Sequence, residues 1–264
     1  MELGLQNKTI LVTGGASNIG RAIVLGFARE KAKVIIADID DEQTAKVSKE
    51  AIEAGASEVE TKHCDVTQMD QVECVFDEVK NRFGPVEVLV NNVGWDKLMF
   101  FTQTTPDLWQ RIINVNFVGM LNCTYCALEQ MIPENGGSIV SISSDASRQG
   151  EPREAVYGGM KAGINSFMKT IAKENGRYGV RANVVCPGVT IPDSTDEVGE
   201  NSMWLNVDDM FTPDQLQNVA KRLPLRKVGK PEDIASSVVF LSSAAANHVT
   251  GQILSVSGGY SMIG

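Results

Sequence analysis

The chain has no long apolar run, no excess of basic residues, only two histidines and no even set of cysteines. Each lack removes a class of function. With no stretch near the ~18 apolar residues of a membrane span, no membrane association is expected. The start, Met1-Glu2-Leu3-Gly4-Leu5-Gln6, is too polar for a signal peptide. A net charge of −9 argues against nucleic acid, whose phosphates require clustered Lys and Arg, while leaving room for an anionic ligand on a local basic patch. Five scattered cysteines offer no disulfide framework and point to a reduced, cytoplasmic setting. Cys123 and Cys126 form one Cys-x-x-Cys inside a predicted helix with no second pair, so packing is expected there and no metal site. His63 and His248 have no catalytic or ligating company. Nor is there a Pro/Gly/Ser-rich linker or an internal repeat, so one domain spanning 1–264 is expected.

What the chain does have is a rhythm. Short β-branched strands, at Thr9–Val12, Lys33–Ala37, Val59–Cys64, Val86–Val90, Ser138–Ser143, Arg181–Val185 and Gln252–Val256, alternate with amphipathic helices. The helices are predicted over Ile19–Glu30, Asp40–Ala54, Gln68–Phe83, Leu108–Met131 and Ala155–Tyr178. Strands that are apolar on both faces and separated by helices predict an α/β, doubly wound Rossmann domain. Its parallel seven-stranded sheet would carry helices on both faces. The rhythm fails between Ile191 and Ala220, an acidic stretch around Met203-Trp204-Leu205. That stretch reads as an irregular substrate lid at about 191–220.

Chemistry gathers at two places. Thr13-Gly14-Gly15-Ala16-Ser17-Asn18-Ile19-Gly20 links the first strand to the first helix, where glycines and free N–H groups suit a pyrophosphate. Asp38 closes the second strand at about the 20-residue spacing from which a carboxylate reaches the adenosine ribose. With no Arg or Lys at Ser17, Asn18, Ile39 or Asp40 to hold a 2′-phosphate, NAD is expected as cofactor rather than NADP. The second place is Tyr157-Gly158-Gly159-Met160-Lys161, a phenol and an ammonium on one helix face. The Lys161 charge would favour the phenolate and make Tyr157 an acid/base for an alcohol or ketone.

With these in order, the chain resembles the short-chain dehydrogenase/reductase family over nearly its whole length. The resemblance implies that Tyr157, Lys161 and Ser144 are catalytic, with Ser144 steadying the substrate oxygen. Asn116 would hold a water in the proton relay to Lys161. Gly14, Ser17, Asn18, Ile19, Gly20, Asp38, Asp65, Val66, Asn92, Gly94, Pro187, Val189 and Thr190 would meet the cofactor, together with Tyr157 and Lys161. A homotetramer packed through the helices around Leu108 and Tyr157 and through the C-terminal segment is implied as well. Three positions depart from the pattern. Asn18 replaces a glycine, Val93 replaces an alanine, and Pro192 stands where a threonine is usual, leaving Thr190 or Ser194 to meet the carboxamide.

The segments Asn92-Val93-Gly94-Trp95-Asp96, Ser144-Asp145-Ala146 and Glu154-Ala155-Val156-Tyr157 resemble the branch of 2-hydroxycyclohexanecarboxyl-CoA dehydrogenases. That implies an alicyclic 2-hydroxyacyl-CoA substrate, with Trp95, Asp145, Arg153 and Trp204 as its contacts. Arg148, Arg153, Lys97, Lys221, Arg222, Arg226 and Lys227 could meet the phosphates of a CoA thioester, whereas the acidic 191–220 segment would repel them. 3-Oxoacyl thioesters, cyclic diols and steroids remain open, as does a catalytically silent subunit that has kept the fold.

Overall fold

The computed structural model describes residues 2–200, 202, 204–205 and 211–263. Met203, Asp208 and Asp209 of the expected lid lie outside the described residues. Seven parallel strands form one sheet: β1 (Thr9–Thr13), β2 (Lys33–Asp38), β3 (Glu58–His63), β4 (Val88–Asn91), β5 (Gly137–Ile142), β6 (Val180–Pro187) and β7 (Ile253–Val256). Their order is β3-β2-β1-β4-β5-β6-β7, which reverses direction between β1 and β4. In such sheets the crevice outside the carboxyl ends of the strands, at the reversal, is where ligands bind.

Strand alternation sends Leu11, Ile35 and Leu89 to one face and Ile10, Val12, Val34 and Ile36 to the other. The first face is covered by α3 (Met69–Phe83), α5 (Gly119–Met131) and α7 (Ala155–Asn175), through residues such as Val79, Met131 and Met168. The second is covered by α1 (Asn18–Arg29) and α2 (Asp41–Glu53), through Ile23, Phe27 and Val47. Cys123 and Cys126 sit within the first of these cores, as packing residues. Each fully buried Ile, Leu, Val or Phe contributes about 1.5–3 kcal/mol, so the two cores hold the sheet edges that carry the site.

Three helical features depart from the sequence reading. The expected helix from Leu108 to Met131 is α4 (Pro106–Ile113) and α5 joined by a π turn at Asn114–Val118, closed by the Gly119 N–H donating to the Asn114 carbonyl. The stretch read as irregular contains α8 (Pro213–Arg222), preceded by a short 3₁₀ turn at Thr195–Glu197. α8 starts at a capping box: Thr212 Oγ1 accepts from the Gln215 N–H at 3.3 Å, and Gln215 Oε1 accepts from the Thr212 N–H at 2.8 Å. It buries no residue fully, and Leu216, Val219 and Ala220, at i, i+3 and i+4, form its half-buried face. Finally, α9 (Pro231–Ser242) adds a helix not expected from the sequence, packing Ile234, Val238 and Leu241 onto the α1 face. Between β5 and α7, a single turn, α6 (Ala146–Gln149), completes the helices. No helix among the described residues is long and apolar enough to cross a membrane.

Candidate active site

The glycine turn is fixed by contact. A Cβ on Gly20 would lie 1.9 Å from the Gly14 carbonyl oxygen and 2.6 Å from Asn92 Nδ2, so only glycine fits. Gly14 has φ +62°, a conformation glycine adopts freely. Asn92 Nδ2 donates to the Gly14 carbonyl at 2.8 Å, tying the end of β4 to the turn. Asn18 takes φ 47°, so asparagine does adopt the left-handed backbone that the missing glycine would have supplied. Ser17 caps α1 without a side-chain capping bond, and Ser17 Oγ, Asn18 Oδ1 and Asn18 Nδ2 are buried with no protein partner. Unsatisfied polar atoms around the positive end of a twelve-residue helix suit a phosphate. The donor set therefore fits the pyrophosphate of a dinucleotide.

Asp38 closes β2 beside this turn. Its carboxylate accepts from the N–H groups of Ala16 at 3.0 Å, Ile39 at 2.8 Å and Asp40 at 3.1 Å. Burial nevertheless pushes its carboxyl above the usual range. The N-cap of α2 is Asp40, which accepts from the Gln43 N–H at 3.0 Å, so Asp38 is not a capping residue. After the next strand Asp65 folds its loop by accepting from the Thr67 N–H at 2.9 Å, and the neighbouring Val66 is buried.

At the other end, the first turns of α7 bring Tyr157 and Lys161 to the carboxyl end of β5. The Lys161 ammonium lies 5.4 Å from the centre of the Tyr157 ring and donates to the Ile142 carbonyl at 3.0 Å. Lys161 is buried, which lowers its pKa to about 8. Gly94 leaves room above it: a Cβ there would stand 3.2 Å from Lys161 Nζ and 3.3 Å from Asn116 Oδ1. Ser144, whose Oγ accepts from the Ala146 N–H at 3.1 Å, lies beside the phenol and favours its ionised form. The expected lowering of Tyr157 by Lys161 is not found in the protein alone. Burial first, then the carboxyls of Glu154 and Asp96, hold the phenol above its ordinary value.

One cleft of about 670 Å³ joins the two ends and is lined by every expected site residue except Asn116. Asn116 is fully buried behind the wall. Its Nδ2 donates to the carbonyls of Trp95 at 2.7 Å and Ile112 at 2.9 Å, and its Oδ1 accepts from the Trp95 N–H at 3.2 Å. The side chain thus clamps the backbone after β4 onto the π turn, which leaves it no free donor for a water. The π turn shifts the helical hydrogen-bond register here, a feature frequent at functional sites.

The residues expected to meet the substrate divide. Trp95 and Trp204 line the cleft, with the Arg111 guanidinium stacked 3.9 Å over the Trp95 ring. Asp145 also lines the cleft, and its carboxylate accepts from Ser255 Oγ at 2.8 Å, fastening the start of α6 to β7. Arg153 donates to the Leu98 carbonyl at 2.9 Å and staples the cleft rim. Of the basic residues expected to meet CoA phosphates, only Arg153 and Arg222 line the cleft. Arg148 donates into the fold at the Ile253 carbonyl, and Lys227 pairs with Asp233 at 3.6 Å. The acidic segment is also partly neutralised, since Asp193 meets Lys230 at 2.8 Å and Glu197 meets Arg21 at 3.3 Å. Thr190 lines the cleft and Ser194 does not. Sequence reasoning assigned no role to Asp96, Glu154, Phe211, Leu223 or Tyr260, all of which line it.

Comparison with known proteins agrees with this geometry. Residues 14–261 match the family model described as enoyl-(acyl carrier protein) reductase. The chain is 35% identical to 3-oxoacyl-[acyl-carrier-protein] reductase of Thermotoga maritima, covering 97% of this chain and 98% of that one. It is also 35% identical to acetoacetyl-CoA reductase of a Synechocystis species, covering 98% and 99%. The chain belongs to the short-chain dehydrogenase/reductase family. Its fold superposes on 7α-hydroxysteroid dehydrogenase, solved with NADH and 7-oxo glycochenodeoxycholic acid, with a TM-score of 0.88 at 28% identity, over 98% and 96% of the two chains. Members of this family are oxidoreductases that use a nicotinamide cofactor, and the empty donors at Ser17 and Asn18 are in keeping with one.

Proposed function

We propose that this family member is an NAD-dependent dehydrogenase that interconverts a secondary alcohol and a ketone, with Tyr157 as acid/base. The observation that carries the reading is the grouping of Tyr157, Lys161 and Ser144 on the floor of a cleft whose far end is the Gly14–Gly20 turn. A bound nicotinamide supplies or accepts the hydride. Tyr157 Oη takes the alcohol proton during oxidation and returns it during reduction, while Ser144 Oγ holds the same oxygen. Lys161 supports the phenolate from below, and the positive charge of an oxidised nicotinamide offsets the burial and carboxylate effects that keep the phenol neutral at rest. Asn116 acts by holding the Trp95 backbone in place.

NAD is favoured over NADP by Asp38. A carboxylate at this position accepts ribose hydroxyls and repels a 2′-phosphate, and no cation stands at Ile39 or Asp40. For the substrate we favour a thioester whose reacting carbon lies β to the acyl carbonyl. The alicyclic 2-hydroxyacyl-CoA implied by the sequence has that arrangement, and so do 3-oxoacyl thioesters of the kind that the two relatives' names describe. The ring would lie against Trp95, Leu98 and Trp204, with 191–220 as the lid. A cyclic diol or steroid is the second reading, supported by the steroid enzyme of the same fold. The protein is further proposed to be a homotetramer, since exposed Tyr125 on α5 and exposed Met262 and Ile263 at the C-terminal end offer apolar surface to a second copy.

The test is the initial rate of NAD⁺ reduction, against NADP⁺, across 2-hydroxycyclohexanecarboxyl-CoA, 3-hydroxybutyryl-CoA, cyclohexanol, cyclic diols and steroids. The reading predicts turnover with NAD⁺ preferred and a thioester as best substrate. No turnover of any carbinol would overturn the enzymatic reading in favour of a silent, cofactor-binding subunit.

A further inference from the structure

Asp96 is the most unusual group in the cleft. It follows Trp95, lines the cleft, and is only 7% exposed. Its Oδ2 is buried with no hydrogen-bond partner, and the backbone N–H of the neighbouring Lys97 is the one protein donor acting on the carboxyl. Glu154 faces the same space from the start of α7. It occupies the N-cap position yet makes no capping bond, so its carboxyl is not satisfied by the helix end beside it. The two carboxyls repel each other, both act on Tyr157, and Glu151 adds to the repulsion. The surrounding cations are committed elsewhere. Arg111 stacks on Trp95, Arg153 donates to Leu98, and Lys161 lies beneath Tyr157 on the Ile142 carbonyl. Tyr260 is taken by Glu151.

A desolvated carboxyl with no cation beside it, facing the same cleft as a second carboxyl, lowers its energy by keeping its proton. A neutral carboxyl group is a hydrogen-bond donor, and an apolar site that keeps an acid neutral can use it to hold a substrate oxygen. We propose that Asp96, backed by Glu154, is a specificity-determining residue that donates a hydrogen bond to the acyl carbonyl of a β-hydroxyacyl or β-oxoacyl thioester. That carbonyl is separated from the reacting carbon by a single carbon, so with the carbinol on Tyr157 it falls in the region of the neighbouring Asp96. The inference rests on the dehydrogenase reading above and extends it to the group that selects the substrate. Burial raises Asp96 to about 6 and Glu154 to about 7, so Asp96 loses its proton, and with it the donor, as pH climbs past neutrality.

The experiment compares wild-type enzyme with Asp96→Ala, Asp96→Asn and Glu154→Gln, using 2-hydroxycyclohexanecarboxyl-CoA, 3-hydroxybutyryl-CoA and cyclohexanol as substrates. NADH binding by fluorescence and Tm report that each variant is folded. Asp96→Ala is expected to lower the thioester-to-cyclohexanol ratio of kcat/KM roughly ten- to thirty-fold, mainly through KM. Asp96→Asn, whose amide still donates, should recover most of that ratio. In the wild type, thioester KM should rise between roughly pH 6 and pH 9, whereas Asp96→Asn should be flat. Glu154→Gln should move the rise to lower pH by removing the like charge. If Asp96→Ala changes thioester and cyclohexanol turnover equally, or changes neither, the inference falls while the dehydrogenase reading stands. If the wild type turns over cyclohexanol but no thioester, the inference and the thioester assignment fall together.

Discussion

The two ends of the cleft are built by opposite means. At the glycine turn, backbone meets backbone at a distance that admits no side chain, and polar side-chain atoms of Ser17 and Asn18 are buried without a protein partner. At the substrate rim, the wall consists of side chains from separate elements: Trp95 after β4, Glu154 at α7, Trp204, and the rim of α8. A backbone cradle is rigid and serves one cofactor, whereas a side-chain rim can be altered without disturbing it. Relatives in one family can therefore share a cofactor site and differ in substrate, as the reductases and the steroid enzyme matched here do by name.

This contrast predicts very unequal mutational effects. Gly20→Ala should be the most severe, because its Cβ would overlap the Gly14 carbonyl oxygen. NADH-induced fluorescence and thermal stabilisation should disappear, and near-normal binding would show that the turn yields. Asp38→Ala comes next. Losing a charged acceptor of ribose hydroxyls should cut the NAD⁺/NADP⁺ ratio of kcat/KM roughly ten- to a hundred-fold. An unaltered ratio would break the link between Asp38 and cofactor choice. Thr212→Ala should have the smallest effect, costing about 1 kcal/mol in local helix stability. It should raise KM for a bulky thioester and leave the NADH dissociation constant alone; a change in NADH binding would mean the two ends are coupled.

The same contrast explains how much could be read from the chain. The glycine turn, Asp38 and the Tyr157–Lys161 pair are local patterns whose spacing carries the geometry, and they line the cleft as the sequence implied. α9 is also written locally, in Pro231, Asp233 and the Ile234–Val238–Leu241 spacing. α8 is marked by Thr212-Pro213-x-Gln215 and by the Leu216–Val219–Ala220 spacing, inside an acidic stretch that otherwise reads as irregular. The π turn at Asn114–Val118 arises from Asn116 gripping the Trp95 backbone, a tertiary contact that no local propensity encodes. The hydrogen bond of Asp145 to Ser255 is hidden for a similar reason, since Ser255 lies on β7. Asp96 and Glu154 likewise come to line one cleft only once the loop after β4 meets the start of α7.

We propose hydride transfer in this cleft with Tyr157 as its proton donor and acceptor. Its most direct test is Tyr157→Phe, which removes one hydroxyl oxygen from a ring already packed in place. We predict that Tyr157→Phe binds NADH with the wild-type dissociation constant while kcat on the best substrate falls about 10²- to 10⁴-fold at every pH measured. Turnover within a few-fold of wild type, with NADH binding intact, would contradict it.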